Sequence, residues 1–119
     1  MVDSFFYEEK IKIVFANDKL LCKMQTMIKS FGNKETENLF NKIALKKVPA
    51  DIQTKAFRKL HVLDDATSVE RLFYPPSNRL ERLHGKLKDF YSIRVNNRWR
   101  IIFRFERGDA FDVEFVDYH

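Results

Sequence analysis

One cysteine, Cys22, stands in 119 residues, so the chain can close no disulfide within itself. Nothing therefore points to an oxidising compartment, and Cys22 reads as a small half-buried apolar residue, the usual fate of a free thiol. Three histidines, at positions 61, 84 and 119, lack metal-ligand spacing and have no cysteine pair to join, which argues against a zinc module. Three glycines are too few for a glycine-rich phosphate loop. Long apolar runs are missing as well. The opening MVDSFFYEEKIKIVF is broken by charge every few residues, so it holds neither a signal core nor a membrane span, and the expected location is the cytoplasm. No repeat, low-complexity tract or interdomain linker is visible.

What remains is an apolar share of 45% and a charged share of 33%, the balance of one globular domain with a core of its own. Basic charge is in excess, and unevenly so. Residues 1–26 hold four basic and four acidic groups, so the net +5 arises from residue 27 onward. Between residues 79 and 104 eight basic side chains stand against two acidic ones, Glu81 and Asp89. A polyanion is the implied partner, although such runs also occur as plain solvated faces.

Helical periodicity comes first along the chain. NKETENLFNKIALKK sets Leu39, Phe40, Ile43 and Leu45 on one face behind Asn33 as N-cap. PADIQTKAFRKLHVLDDA does the same with Ile52, Phe57, Leu60 and Leu63 behind a proline; His61 lies on this helix in a surface or packing role. YPPSN then breaks the pattern, and three alternating stretches follow. Helices followed by strands predict an α+β domain.

In YSIRV, RWRIIFRF and FDVEFVDYH one face carries Tyr91, Ile93, Val95, Trp99, Ile101, Phe103, Phe105, Phe111, Val113 and Phe115. Opposed residues of an antiparallel pair share a face, so a three-residue loop of Asn96, Asn97 and Arg98 pairs Ile93 with Ile101. By the same parity the turn around Gly108 should be odd in length, pairing Phe105 with Phe111, Phe103 with Val113 and Ile101 with Phe115, and setting Arg104 against Asp112. Arg94 then falls opposite Arg100, a like-charge pair that costs up to roughly 1 kcal/mol unless an anion joins it. Alanine at either arginine should therefore hold or slightly raise stability. Val116 lies beside Arg100, and Tyr118 and His119 follow at the same end of the sheet.

Residues 78–119, NRLERLHGKLKDFYSIRVNNRWRIIFRFERGDAFDVEFVDYH, resemble the C-terminal half of HigB-type toxins of the RelE superfamily. These are ribosome-dependent endoribonucleases that cut mRNA and are neutralised by a HigA antitoxin. The resemblance starts near Met27. It implies two N-terminal helices packed on a small, mainly antiparallel sheet, with residues 27–119 as the toxin domain and 1–26 as an extension of unassigned role. Within that extension KIKIVF could add an edge strand. The implied partners are mRNA, the ribosome and a helix-turn-helix, HigA-like antitoxin, with no cofactor and no membrane. A ParE-like toxin acting on gyrase and a non-catalytic RNA-binding module are the competing readings.

Carried over residue by residue, the resemblance matches Asp117, Tyr118 and His119 to the terminal catalytic cluster, and Arg94 and Arg100 to the phosphate-contacting arginines. Some relatives read His-Pro-Leu-Lys where this chain has Glu81-Arg82-Leu83-His84, so a two-histidine scheme has no direct copy here. Metal-free RNA cleavage needs a base for the 2′-OH, cations for the phosphoryl oxygens and an acid for the leaving oxygen. His119 suits either proton transfer and the planar arginine forks suit phosphate. Tyr118 would stack or orient a base, Asp117 would partner His119 or accept a second proton, and Glu81 or His84 would complete the set. Arg79, Arg82, Lys86, Lys88 and Arg98 would hold the RNA backbone. The plainer alternatives are that Tyr118 covers a sheet edge, Asp117 caps a strand and His84 is an exposed loop residue.

Overall fold

The computed structural model describes residues 27–117; the extension with its KIKIVF stretch, and Tyr118 and His119 of the terminal cluster, lie outside the described residues. Asn33 caps the first helix, α1 (Lys34–Phe40), its side-chain oxygen accepting from the Thr36 backbone N–H at 2.9 Å and the Thr36 hydroxyl at 2.6 Å. The helix is shorter than its apolar spacing suggests. Lys42 takes a left-handed φ of 65°, the chain turns away, and Ile43 is left 52% exposed instead of on the core face. Leu45 still packs on the core, because Gln53 ties the loop back by bonding both the N–H and the carbonyl of Leu45 at 2.8 Å.

The second helix, α2 (Ala50–Asp65), starts behind Pro49 and buries Ala56, Leu60 and Leu63 completely. Each leucine so buried is worth about 1.5–3 kcal/mol. His61 fills the helix–helix contact: its ring stacks on Phe40 at 4.3 Å and meets Phe57 at 4.5 Å. Burial pushes its pKa below the ordinary value, against a smaller upward pull from the Phe40 carbonyl.

Four strands follow, β1 (Glu81–Arg82), β2 (Tyr91–Arg94), β3 (Trp99–Glu106) and β4 (Asp109–Asp117), antiparallel and adjacent in chain order. Strand β1 has two residues, too few to show a period in the sequence. Between β2 and β3 the register is the expected one: Ile93 faces Ile101, Arg94 faces Arg100, and the Val95 N–H donates to the Trp99 carbonyl at 2.9 Å.

The second hairpin departs from expectation. Its turn has two residues, Arg107 and Gly108, with φ of 53° and 84°, so Glu106 pairs with Asp109 and Phe105 with Ala110 rather than with Phe111. Positive φ at both central positions suits the right-handed twist of a tight hairpin, and glycine takes the second at little cost. Parity is restored by a β-bulge: Asp112, at φ 54°, is the extra residue between the Arg104–Phe111 and Ile102–Glu114 pairs. Beyond it Ile101 faces Phe115 as expected. Arg104 and Asp112 are not directly opposed, yet they meet at 2.9 Å, and the carboxylate raises the arginine's pKa.

One face of the sheet, with Ile93, Ile101, Phe103, Val113 and Phe115, packs on Ala56, Leu60 and Leu63 to form the core. The outer edge of β4 is covered by the segment entering α1. There Lys29 and Gly32 donate to the Ala110 and Val113 carbonyls at 2.7 Å, and the Thr36 hydroxyl accepts from the Phe115 N–H at 2.9 Å. Such cover occupies ladder positions of β4 from Ala110 to Phe115 that would otherwise be open. Asp64, buried at the end of α2, anchors the start of the segment by accepting from the Met27 and Ile28 N–H groups at 2.9 and 3.0 Å. Among the described residues no helix is long and apolar enough to cross a membrane.

Candidate functional site

The other face of the sheet is set by the same pairing. Glu81, Ser92 and Ile102 form one row and Arg94, Arg100 and Val116 the next. This face is not simply solvated: Ser92 is fully buried, and Ile102 and Arg100 are 8% and 9% exposed.

The two arginines live in different surroundings. Arg100 donates from Nη2 to the Arg79 backbone carbonyl at 2.8 Å and lies 3.9 Å from the Glu81 carboxylate. Arg94 is half-buried and donates to the side-chain oxygen of Asn97 in the hairpin loop. A buried cation needs such partners, because desolvation would otherwise cost several kcal/mol. Burial also strengthens its pull on any anion that reaches it, since little water screens the pair.

Glu81 and His84 line one open depression of about 540 Å³, together with Arg82, Leu83 and Leu87. Glu81 thus lies beside Arg100 and shares a depression with His84. His84 is exposed, at the start of a short turn from Gly85 to Leu87.

Asp117 goes elsewhere. It pairs with Trp99 across the ladder and so shares the helix-side face, where its carboxylate takes Arg98 Nη2 at 2.7 Å and Nε at 2.9 Å. That contact raises the Arg98 pKa. Arg98 also lies over the Trp99 ring at 5.6 Å, and Trp99 stacks on Phe115 at 4.5 Å. Among the basic residues expected to hold RNA, Arg98 is thus engaged with Asp117. Arg82 is engaged too, with the Lys88 carbonyl at 3.2 Å and the Tyr91 ring at 5.3 Å. Arg79, Lys86 and Lys88 are exposed.

No motif or spacing announces that a backbone carbonyl grips Arg100. Arg79 supplies it from a left-handed conformation, φ 46° and ψ 55°, just after the turn Pro76–Asn78. Asn78 is fully buried there: its amide donates to the Leu72 and Tyr74 carbonyls at 3.1 and 3.2 Å, and its oxygen accepts from Lys59 on α2. In YPPSNR this asparagine reads as an ordinary turn residue. Among the described residues no group of three or more His, Cys, Asp or Glu side chains gathers as a metal site.

With this geometry in view, the relatives are informative. The chain is 43% identical over 72 residues to Toxin HigB-1 of Vibrio cholerae, covering 60% of this chain and 75% of that one. It is 35% identical over 96 residues to Endoribonuclease HigB of Proteus vulgaris, covering 78% of this chain and all of the relative. Among solved structures a YoeB/ParE toxin from Agrobacterium tumefaciens superposes with a TM-score of 0.48 and 14% identity, over 77% of this chain and 99% of that one. Residues 29–119 match the family described as RelE-like toxin of type II toxin-antitoxin system HigB. Among the described residues two α-helices and an antiparallel sheet with opposed arginines on the face away from them, together with this match over most of the chain, place the protein in the HigB family of RelE-like toxins.

Proposed function

We propose that this toxin is a ribosome-dependent endoribonuclease that cuts mRNA during translation and so arrests protein synthesis. The observation that carries the reading is the opposed pair Arg94 and Arg100, an arrangement that repels itself unless an anion lies between the two. A phosphodiester is such an anion, and the guanidinium forks match its oxygens. The name Endoribonuclease HigB, borne by the Proteus vulgaris relative, supports the same chemistry.

In the proposed reaction Arg100, pinned and desolvated, and Arg94 stabilise charge developing on the phosphoryl oxygens. Proton transfer falls to His119, which follows Tyr118 and the last described residue of β4, Asp117. Of the two further candidates, Glu81 lies 3.9 Å from Arg100, and His84 lines the same depression as Glu81. Asp117, paired with Arg98, fixes the end of β4 and with it the origin of the terminal pair.

A type II toxin has an antitoxin partner. We assign that role here to a small helix-turn-helix protein with acidic character, complementary to the net +5 of the toxin. The toxin domain is residues 27–119, and residues 1–26 are an extension that activity does not require. Incubating the purified protein with an mRNA in a translation extract, with and without ribosomes, tests the reading. Cleavage only with ribosomes supports it. Cleavage without them would make the protein a ribosome-independent ribonuclease, arrest without cleavage would favour the RNA-binding module, and neither cleavage nor arrest would favour the ParE-like alternative.

A further inference from the structure

Arg100 is held by a carbonyl whose own position has to be explained. Left-handed φ is uncommon for a residue other than glycine, and Arg79 holds it at 46°. Backbone kept in such a region clusters where function demands it, and the surrounding structure must enforce it. Here the enforcement comes from the residue before. Asn78 is fully buried, and both its amide hydrogens and its oxygen are used: two hydrogen bonds tie it to Leu72 and Tyr74 of its own loop, and one ties it to Lys59 on α2. The Lys59 ammonium is desolvated in making this contact, which lowers its pKa, and Lys55 adds to the lowering. An apolar residue in the same space would leave the Leu72 and Tyr74 carbonyls without these donors.

We propose that Asn78 is a positioning residue for the phosphate site: through Lys59 it fixes the loop to α2, and through Arg79 it sets the carbonyl that aims Arg100. The line runs from the core helix to the sheet face as Lys59, Asn78, the Arg79 carbonyl and the Arg100 guanidinium. Loosening it leaves Arg100 present but misaimed. The consequence for catalysis rests on the function proposed above; the positioning itself does not.

Two measurements separate these. The first is the Arg100 Nε–H resonance in the full-length protein, with Arg104, held by Asp112 at 2.9 Å, as internal control. In Asn78→Ala and Lys59→Met the Arg100 signal should broaden or shift while that of Arg104 stays. An unchanged Arg100 signal, or equal loss of both, overturns the proposal, the second outcome being general loosening. The second is mRNA cleavage in a translation extract for Asn78→Ala, Arg100→Gln and the double variant. Asn78→Ala alone should lower the rate about 10- to 100-fold, the scale of a misplaced catalytic group, and less than about threefold further on the Arg100→Gln background, as for coupled residues. Independent, multiplying effects overturn the proposal. If the wild-type protein cuts nothing, the proposed function fails, and the Arg100 resonance still decides the positioning.

Discussion

Arg94 and Arg100 face each other across one ladder, yet their removal should have different effects on stability. Arg100→Ala loses a charge-assisted hydrogen bond to the Arg79 carbonyl at 2.8 Å, worth about 1.5–3 kcal/mol. It also loses the packing of a side chain only 10% exposed. Against this stands relief of the like-charge contact, about 0.2–1 kcal/mol, and some recovered desolvation. The orphaned groups are forgiving: Arg79 is exposed and Glu81 is 56% exposed, so water replaces the lost partner. The net cost is about 1–2 kcal/mol, a fall in Tm of roughly 5–15 °C for a domain of this size. Arg94→Ala gives up a hydrogen bond to an exposed loop asparagine and gains the same relief, so its Tm should stay within about 3 °C of wild type. From sequence alone either substitution is expected to be neutral or stabilising; the contacts of Arg100 change that expectation for Arg100→Ala, while those of Arg94 leave it as it was. Thermal melts by circular dichroism at low and high salt test the pair. Equal melting temperatures, or an Arg100→Ala protein as stable as wild type, would refute the account of Arg100 as an anchored cation. Both variants should lose mRNA cleavage whatever their stability.

Deleting His119, or replacing it with Gln, should lower ribosome-dependent cleavage by about 10²–10⁴-fold, the usual contribution of a general acid or base, with the melt unchanged because the core residues Val113 and Phe115 are untouched; wild-type rates in the deletion variant would remove His119 from the mechanism. His61 has a lowered pKa in the folded state, so the unfolded chain binds the extra proton first, and stability should fall as pH drops from about 6.5 to the folded value. Melts of the His61→Phe variant across that range should show the slope abolished. Asp64→Ala removes the acceptor for the Met27 and Ile28 N–H groups and should cost about 2 kcal/mol, read as earlier denaturant unfolding and faster amide exchange at Ile28. A chain beginning at Met27 should fold and be toxic when expressed alone; an insoluble or harmless product, beside a toxic full-length protein, would show that residues 1–26 are needed.

Features carried by periodicity and parity were legible. Asn33 as N-cap, α2 from its proline onward, and the Arg94–Arg100 pairing all follow from side-chain spacing, and all stand in the structure. Parity misled at Gly108 because it assumes an unbroken ladder. Arg107, Gly108 and Asp112 instead combine a two-residue turn with a bulge, which also returns Ile101 and Phe115 to register. Arg104 and Asp112 meet either way, so that ion pair could not tell the two solutions apart. Loop-borne features were hidden for another reason. Nothing periodic marks Asn78 as buried or aims the Arg79 carbonyl, since both depend on Lys59, nineteen positions earlier than Asn78. Asp117 continues the alternation of Val113 and Phe115, so its place on the helix side follows from parity, and the pairing with Trp99 agrees; what the spacing does not show is that its carboxylate is taken by Arg98.

The two faces of the sheet divide the work. The helix side fixes the fold, and at its end the Asp117–Arg98 pair and the Trp99–Phe115 stack hold the last strand in place. The opposite side carries a cation buried deeply enough to resist screening, yet joined to an acidic group that, on the proposed function, a phosphate would displace or share. That group, Glu81, belongs to β1, a two-residue edge strand. Elements with so few ladder bonds and such exposure open locally at far less than the cost of global unfolding. On the proposed function a phosphate would gain Arg100 by moving one exposed carboxylate, while the hydrogen bond to the Arg79 carbonyl, next to Asn78 and its contact with Lys59 on the core helix, would keep the guanidinium in place.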